Sequence, residues 1–377
     1  MKKLFIFILF FLTLLANPYL LDARAGFGEE EQLQFGSDEA PPCPAENEIK
    51  KGFGVAPFAS PGYTPETGFV LGGAVVFTYR AEDSTAEDRP SSLELLLMYS
   101  QKQQLGISIT PDFYFDNEDW EAKMVLTYSD YPDVFYGIGN DTDEDKEDYK
   151  TERIGLQPWI IRKIYSNLKF GIMYELNGFD VSEEGVALVS LSPTGSDGGI
   201  NSGSGPLLEW DTRDNIFCSS KGGWYRFYAG FYRDWLGSDF NYELYTLDLR
   251  HYVAMLSSHI LAFQVYGRFS EGEVPFPWLS KLKLLRGIVG GRFRDRYAYA
   301  SQVEYRYPIA WRFSGVAFAG VGDVSGSLGN FEIDEMKFAG GGGIRFAVNR
   351  QEKINIRLDI GASPWGICFY FHIAEVF

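Results

Sequence analysis

Residues 353–361 read KINIRLDIG, and the architecture of the chain turns on how that run alternates. Ile354, Ile356, Leu358 and Ile360 share one side of an extended chain, with Lys353, Asn355, Arg357 and Asp359 on the other. Successive side chains of a strand point to opposite faces, so this segment has one apolar face and one polar or charged face. The same reading of WYRFYAGFYRD, residues 224–234, sends Tyr225, Phe227, Ala229 and Phe231 outward and Arg226, Tyr228 and Tyr232 inward. In a membrane-spanning barrel the apolar face meets lipid and the other face lines a polar lumen.

Composition separates this reading from a soluble β-sandwich. Aromatics are 16% of the residues, with 31 Phe, 23 Tyr and 41 Gly, which suits aromatic girdles and glycine-containing barrel strands. After the first residues there is no long uncharged apolar run, so a membrane would be crossed by strands. Marking every alternating run gives sixteen expected strands: 53–59, 67–80, 92–100, 104–115, 119–129, 150–162, 165–177, 204–212, 222–234, 240–252, 257–270, 297–308, 311–324, 335–347, 353–362 and 366–377. An even number leaves both termini on one side. The longest connections, 130–149, 178–203 and 271–296, all follow odd-numbered strands, as the outer loops of a bacterial outer-membrane barrel do. The expected fold is all-β: a transmembrane antiparallel β-barrel.

The ends read differently. Met1-Lys2-Lys3, the apolar run Leu4–Leu15 and the small-residue site Ala23-Arg24-Ala25 form a secretory signal peptide over 1–25. Its removal takes away a net +2 and moves the formal charge from -17 to -19. Residues 26–52, with Glu29–Glu31 and Pro41, Pro42 and Pro44, cannot bury a core and read as a flexible periplasmic tail ahead of a barrel at 53–377.

Several function classes are disfavoured. The acidic balance argues against nucleic acid, which needs a clustered basic face. Cys43, Cys218 and Cys368 have no metal-site or disulfide-framework spacing. The acidic run DTDEDKED at 141–148 lacks the glycine and terminal glutamate of a calcium loop, and Gly340–Gly343 has no helix after it to hold a phosphate. His251, His259 and His372 are expected on strands, and no Gly-x-Ser-x-Gly accompanies them, so no enzyme, cofactor or metal is expected.

One loop breaks the acidic trend. LLRGIVGGRFRDRYAYASQVEYRYPI, residues 284–309, places Arg286, Gly287, Gly291, Arg292, Arg294 and Asp295 directly before the expected twelfth strand. This segment resembles the signature of the bacterial surface antigen (BamA/TamA) family of sixteen-stranded barrels. Further pieces match in order: YTPETGFVLGG from Tyr63, FYGIGNDT at 135–142, EWDTRDN at 209–215, GGIRF at 342–346, RLDIG at 357–361 and the terminal FYFHIAEVF. The resemblance implies a long loop between strands 11 and 12 that folds back into the lumen with an Arg-Gly-aromatic motif at its tip. This chain departs from the pattern twice: Ile288 stands at the aromatic position, and Gly320 stands where strand 13 often carries an acidic residue.

By alternation Glu304, Arg306 and Asp359 face inward, so Arg286 is expected to latch onto Asp359, Glu304 or Asp323. Phe369, Phe371 and Ile373 lie at two-residue intervals on the face that also carries the last residue, Phe377, and the set resembles the terminal signal by which barrels are recognised for insertion, with Glu375 interrupting it. The resemblance implies an outer-membrane protein, in contact with lipid, that assists insertion or translocation of outer-membrane or surface proteins through a weak first–last strand seam near glycines 340–343. Relatives carry periplasmic POTRA domains, for which the 26–52 tail has no room. The expected partners are unfolded outer-membrane proteins or a separate periplasmic protein; the alternative is a passive plugged pore or structural barrel.

Overall fold

The computed structural model describes residues 52–80, 90–115, 119–142, 146–182, 185–214, 218–255, 258–282, 284–349 and 354–373. The expected signal peptide, all but the last residue of the expected tail, and Phe377 lie outside the described residues. The chain forms a closed antiparallel barrel of sixteen wall strands. In order these are β1 (Gly52–Thr64), β2 (Gly68–Arg80), β3 (Ser91–Ser100), β4 (Leu105–Phe115), β5 (Trp120–Phe135), β6 (Glu147–Tyr165), β7 (Leu168–Ser182) and β8 (Gly199–Asp211). They continue with β9 (Gly222–Tyr232), β10 (Tyr242–Ala254) and β11 (Ile260–Gly272). The loop after β11 carries a separate short hairpin, β12 (Ser280–Lys281) with β13 (Arg294–Asp295). The wall resumes with β14 (Tyr297–Ala310), β15 (Phe313–Ser325), β16 (Lys337–Asn349), β17 (Ile354–Ser363) and β18 (Gly366–Ile373). The expected strand 12 is therefore β14.

Burial follows the alternation. On β3, Leu93, Leu95, Leu97 and Tyr99 are exposed on the outer face, while Glu94, Leu96, Met98 and Ser100 are buried inside. On β17, Leu358 and Ile360 face outward and Arg357 and Asp359 are buried, as KINIRLDIG indicates; the side chains of residues 353–355 are outside the described set.

Four expectations need correction. The first strand was expected to stop at 59, yet β1 runs to Thr64 through Pro57 and Pro61, which a strand accommodates when their donorless side faces an edge. The connections at 130–149 and 178–203 are shorter than expected. β5 and β6 stay paired out to Phe135–Glu147, and β7 and β8 out to Phe179–Gly199, beyond the band where lipid enforces alternation. His259 lies in the turn before β11, its Nδ1 2.6 Å from the Tyr305 hydroxyl, whereas His251 is on β10. Glycines 340–343 are not at the seam: they sit within β16, paired to β15 and β17, two strands away from it.

The lumen also differs from the polar interior expected. At the end that carries the long loops, Phe135, Tyr149, Tyr232 and Tyr242 of the wall pack with Phe276 and Trp278 of the loop after β11. Phe135 and Phe276 meet edge to face at 6.1 Å, and Phe179 lies 4.8 Å from Trp278. An internal loop of this length needs its own hydrophobic seat, and these aromatics supply it. The connection between β7 and β8 adds the short helix α1 (Val186–Leu191), with Leu188 wholly buried in the same cluster.

Candidate functional site: an arginine clasp inside the wall

Arg286 is held by two carboxylates from strands on either side of its approach. Its Nη2 donates to Glu304 Oε2 on β14 at 2.6 Å, and its Nη1 to Asp359 Oδ2 on β17 at 2.8 Å. All three side chains are buried. Arg306 Nε donates to the second oxygen of Glu304 at 2.8 Å, Arg345 on β16 pairs with Asp359 and lies 3.7 Å from Glu304, and Arg357 lies 3.6 Å from Asp359. Phe318 on β15 lies beneath the Arg286 guanidinium, 3.4 Å from it to the ring centroid. Planar, multiply donating guanidiniums suit such shared carboxylates, where a lysine would satisfy only one point.

Glycines make this approach geometrically possible. Gly287 has φ +119°, a conformation that side chains rarely adopt, and a Cβ there would lie 2.8 Å from the Ala362 backbone. A Cβ on Gly361 would lie 2.4 Å from the Arg286 carbonyl. Opposite Asp359, Gly343 leaves the space into which that carboxylate and Arg345 reach. The second departure from the family pattern is explained here: Leu285 lies 2.6 Å from where a Gly320 Cβ would be, so the loop occupies the room an acidic side chain would need. Ile288 packs with Leu282, Leu285, Phe293 and Val324 in an apolar cluster, which an aliphatic side chain fills without a ring.

Asp323 is not a partner of Arg286. It accepts from Lys337 Nζ at 2.8 Å, and Lys337 also binds Asn140 and lies over the Phe293 ring. Asp323→Asn is expected to lower the unfolding free energy by about 1.5–3 kcal/mol, the usual worth of a hydrogen bond to a charged group, without disturbing Arg286. Denaturant titration followed by loss of compact migration on a semi-native gel measures this.

The remaining loop residues divide in two. Arg294 is fully buried and donates to Tyr149 Oη at 3.2 Å and to the Val134 carbonyl at 3.0 Å, while Gly139 N–H donates to the Arg294 carbonyl at 2.8 Å. The FYGIGNDT segment is thereby fastened to the loop. Half-buried Arg292 stacks over Tyr136, and Asp295 accepts from the adjacent Arg296 backbone. Gly291, at φ +92°, turns the chain so that Arg294 can fold back to its carbonyl. On β18, Phe369 is exposed on the outer face and Phe371 partly so; the Ile373 side chain is not described.

Sequence reasoning missed Arg345, Glu175 and Tyr370. Arg345 sits inside the quoted GGIRF and shares the inward parity of Gly343, so alternation could have found it. Glu175 accepts from Tyr232 Oη at 2.7 Å and Trp278 Nε1 at 3.2 Å, anchoring the first half of the loop, and no local pattern marks it.

A membrane-type barrel whose long eleventh connection is fixed to the wall through an Arg-Gly motif is thus defined by its geometry. A family model described as the Omp85 superfamily domain matches residues 89–284, and the chain belongs to that superfamily. Its fold is similar to that of BamA from Haemophilus ducreyi lacking POTRA domains 1–3, at 12% identity and a TM-score of 0.63 over 86% of this chain and 71% of that one. It is also similar to CdiB from Acinetobacter baumannii (11% identity, TM-score 0.55, 86% of this chain and 60% of that one). For CdiB from Escherichia coli the values are 9%, 0.56, 88% and 66%. The chain thus spans less than two thirds of either CdiB. Among curated proteins no match was found. The family barrel implies the bacterial outer membrane.

Proposed function

We propose that this barrel assists the insertion or translocation of other outer-membrane or surface proteins by opening between β1 and β18. The observation that carries the reading is the seam: among the described residues β1 and β18 share a single registered pair, Tyr63 with Phe371. β1 is fully paired to β2 from Gly52–Arg80 to Thr64–Gly68, so one of its edges is satisfied, and on the other edge, among the described residues, the register with β18 is limited to Tyr63. An open edge is a template for another strand, and Pro57 and Pro61 interrupt its donors so that pairing there stays reversible. The reading includes export through the 1–25 signal, a periplasmic 26–52 segment, lipid around the wall, unfolded outer-membrane proteins or a separate periplasmic protein as partners, and no chemistry of catalysis.

A passive barrel is the second reading, and the Phe276–Trp278 seat favours it, because an aromatic plug closes a pore without requiring the wall to move. The test places the purified barrel in liposomes and times the folding of an added, unfolded outer-membrane barrel. Faster folding than in empty liposomes supports assistance; equal rates support the passive barrel.

A further inference from the structure

The loop that carries Arg286 touches both sides of the weak seam. On the β18 side, Gly287 N–H donates to Tyr370 Oη at 3.1 Å, and Ser363 Oγ donates to the Gly287 carbonyl at 2.7 Å. Three residues further on, Gly290 N–H donates to the Glu66 carboxylate, in the turn between β1 and β2. Tyr370 is the neighbour of Phe371 and Glu66 lies three residues past Tyr63, so both contacts flank the Tyr63–Phe371 pair of the seam.

Each end of this bridge is anchored in the wall. The Glu66 turn is fixed by Thr67 N–H donating to Thr64 Oγ1 at 3.2 Å, and by Lys102 Nζ donating to the Pro65 carbonyl at 2.7 Å. Gln104, buried, donates to the Pro132 carbonyl at 2.9 Å and to the Glu66 carbonyl at 3.4 Å. On the other side the Arg286 pair with Asp359 holds the loop against β17, and Tyr370 stands opposite Asp359 on β18. We propose that Tyr370 and Glu66 are positioning residues through which the 286–290 loop staples β18 to the β1–β2 turn, so that the loop acts with the sheet ladder to keep the seam shut. The inference deepens the proposed function, since it says what would have to release for the wall to open, and it rests on that reading only for its purpose.

The test traps the seam chemically. In a background with Cys43, Cys218 and Cys368 replaced by alanine, Tyr63→Cys and Phe371→Cys face each other across the seam and oxidise to a disulfide when it is closed. Phe227→Cys and Leu247→Cys, opposite each other on β9 and β10, serve as a control away from it. Tyr370→Phe and Glu66→Ala are each expected to lower the closed-to-open ratio about fivefold, the worth of one net hydrogen bond, and together by more, and so to lower disulfide trapping. The control pair should be unmoved. Only barrels migrating as compact species are scored, and either single variant suffices if the double variant does not fold. Unchanged trapping in both singles overturns the staple and leaves assisted folding standing. Reduced trapping with unchanged assisted folding upholds the staple and removes the seam from the proposed function.

Discussion

Glu304→Ala is expected to abolish the compact barrel at temperatures the parent withstands. Glu304 serves Arg286 and Arg306 by hydrogen bonds of 2.6 and 2.8 Å and Arg345 by a 3.7 Å ion pair, in a position with no exposed surface. Removing one partner of a buried pair costs about 3–5 kcal/mol, because the remaining charge keeps its desolvation penalty. Here three guanidiniums lose a carboxylate at once, Arg286 and Arg345 keeping Asp359 while Arg306 loses its 2.8 Å carboxylate contact, so the effect belongs within that range. Glu304→Gln keeps the shape and one acceptor oxygen and should fall between the two. Semi-native gel transitions over a temperature series measure both; an alanine variant with the parent transition would mean that the cluster is solvated and contributes no stability.

The second large effect is expected from a residue with no charge. Gly361→Val should expel the loop, since its Cβ would meet the Arg286 carbonyl carbon and oxygen at 2.4 Å and the Gly287 nitrogen at 2.7 Å. These are backbone atoms, unable to swing aside as a side-chain tip can. Overpacking costs about 1–3 kcal/mol when neighbours can shift, and more where they cannot. The signature is trypsin cleavage in the 284–296 loop of the variant, where the seated loop of the parent is protected. Because Gly361→Val and Arg286→Ala break the same contact, the double variant should be no less stable than the weaker single, the non-additivity expected of neighbours. Full additivity would show that Gly361 acts elsewhere.

Period-2 alternation made the wall legible because lipid on one side and a charged interior on the other impose it residue by residue, as at Leu358, Asp359 and Ile360. The same reasoning put Glu304 and Asp359 on the inward face, and the structure brings both to Arg286. It failed where lipid no longer applies. β5 and β6 keep pairing past the apolar band, and Phe135 and Tyr149 turn inward to seat Phe276, so their aromatic character there reports a loop core and not a girdle. Asp323 faces inward too, but parity gives direction without distance, and only the structure separates it from Arg286 by giving it Lys337. The contacts of Tyr370 and Glu66 are to backbone N–H groups, which carry no sequence pattern at all.

If β1 and β18 part during function, a reversible lock across them must stop that function. The barrel carrying Tyr63→Cys and Phe371→Cys, with its native cysteines replaced by alanine, is placed in liposomes with an unfolded outer-membrane barrel and assayed oxidised and then reduced. The oxidised protein is expected to fold its client no faster than empty liposomes do, and reductant to restore the acceleration. An oxidised barrel that accelerates folding as well as the reduced one would contradict the parting of β1 and β18.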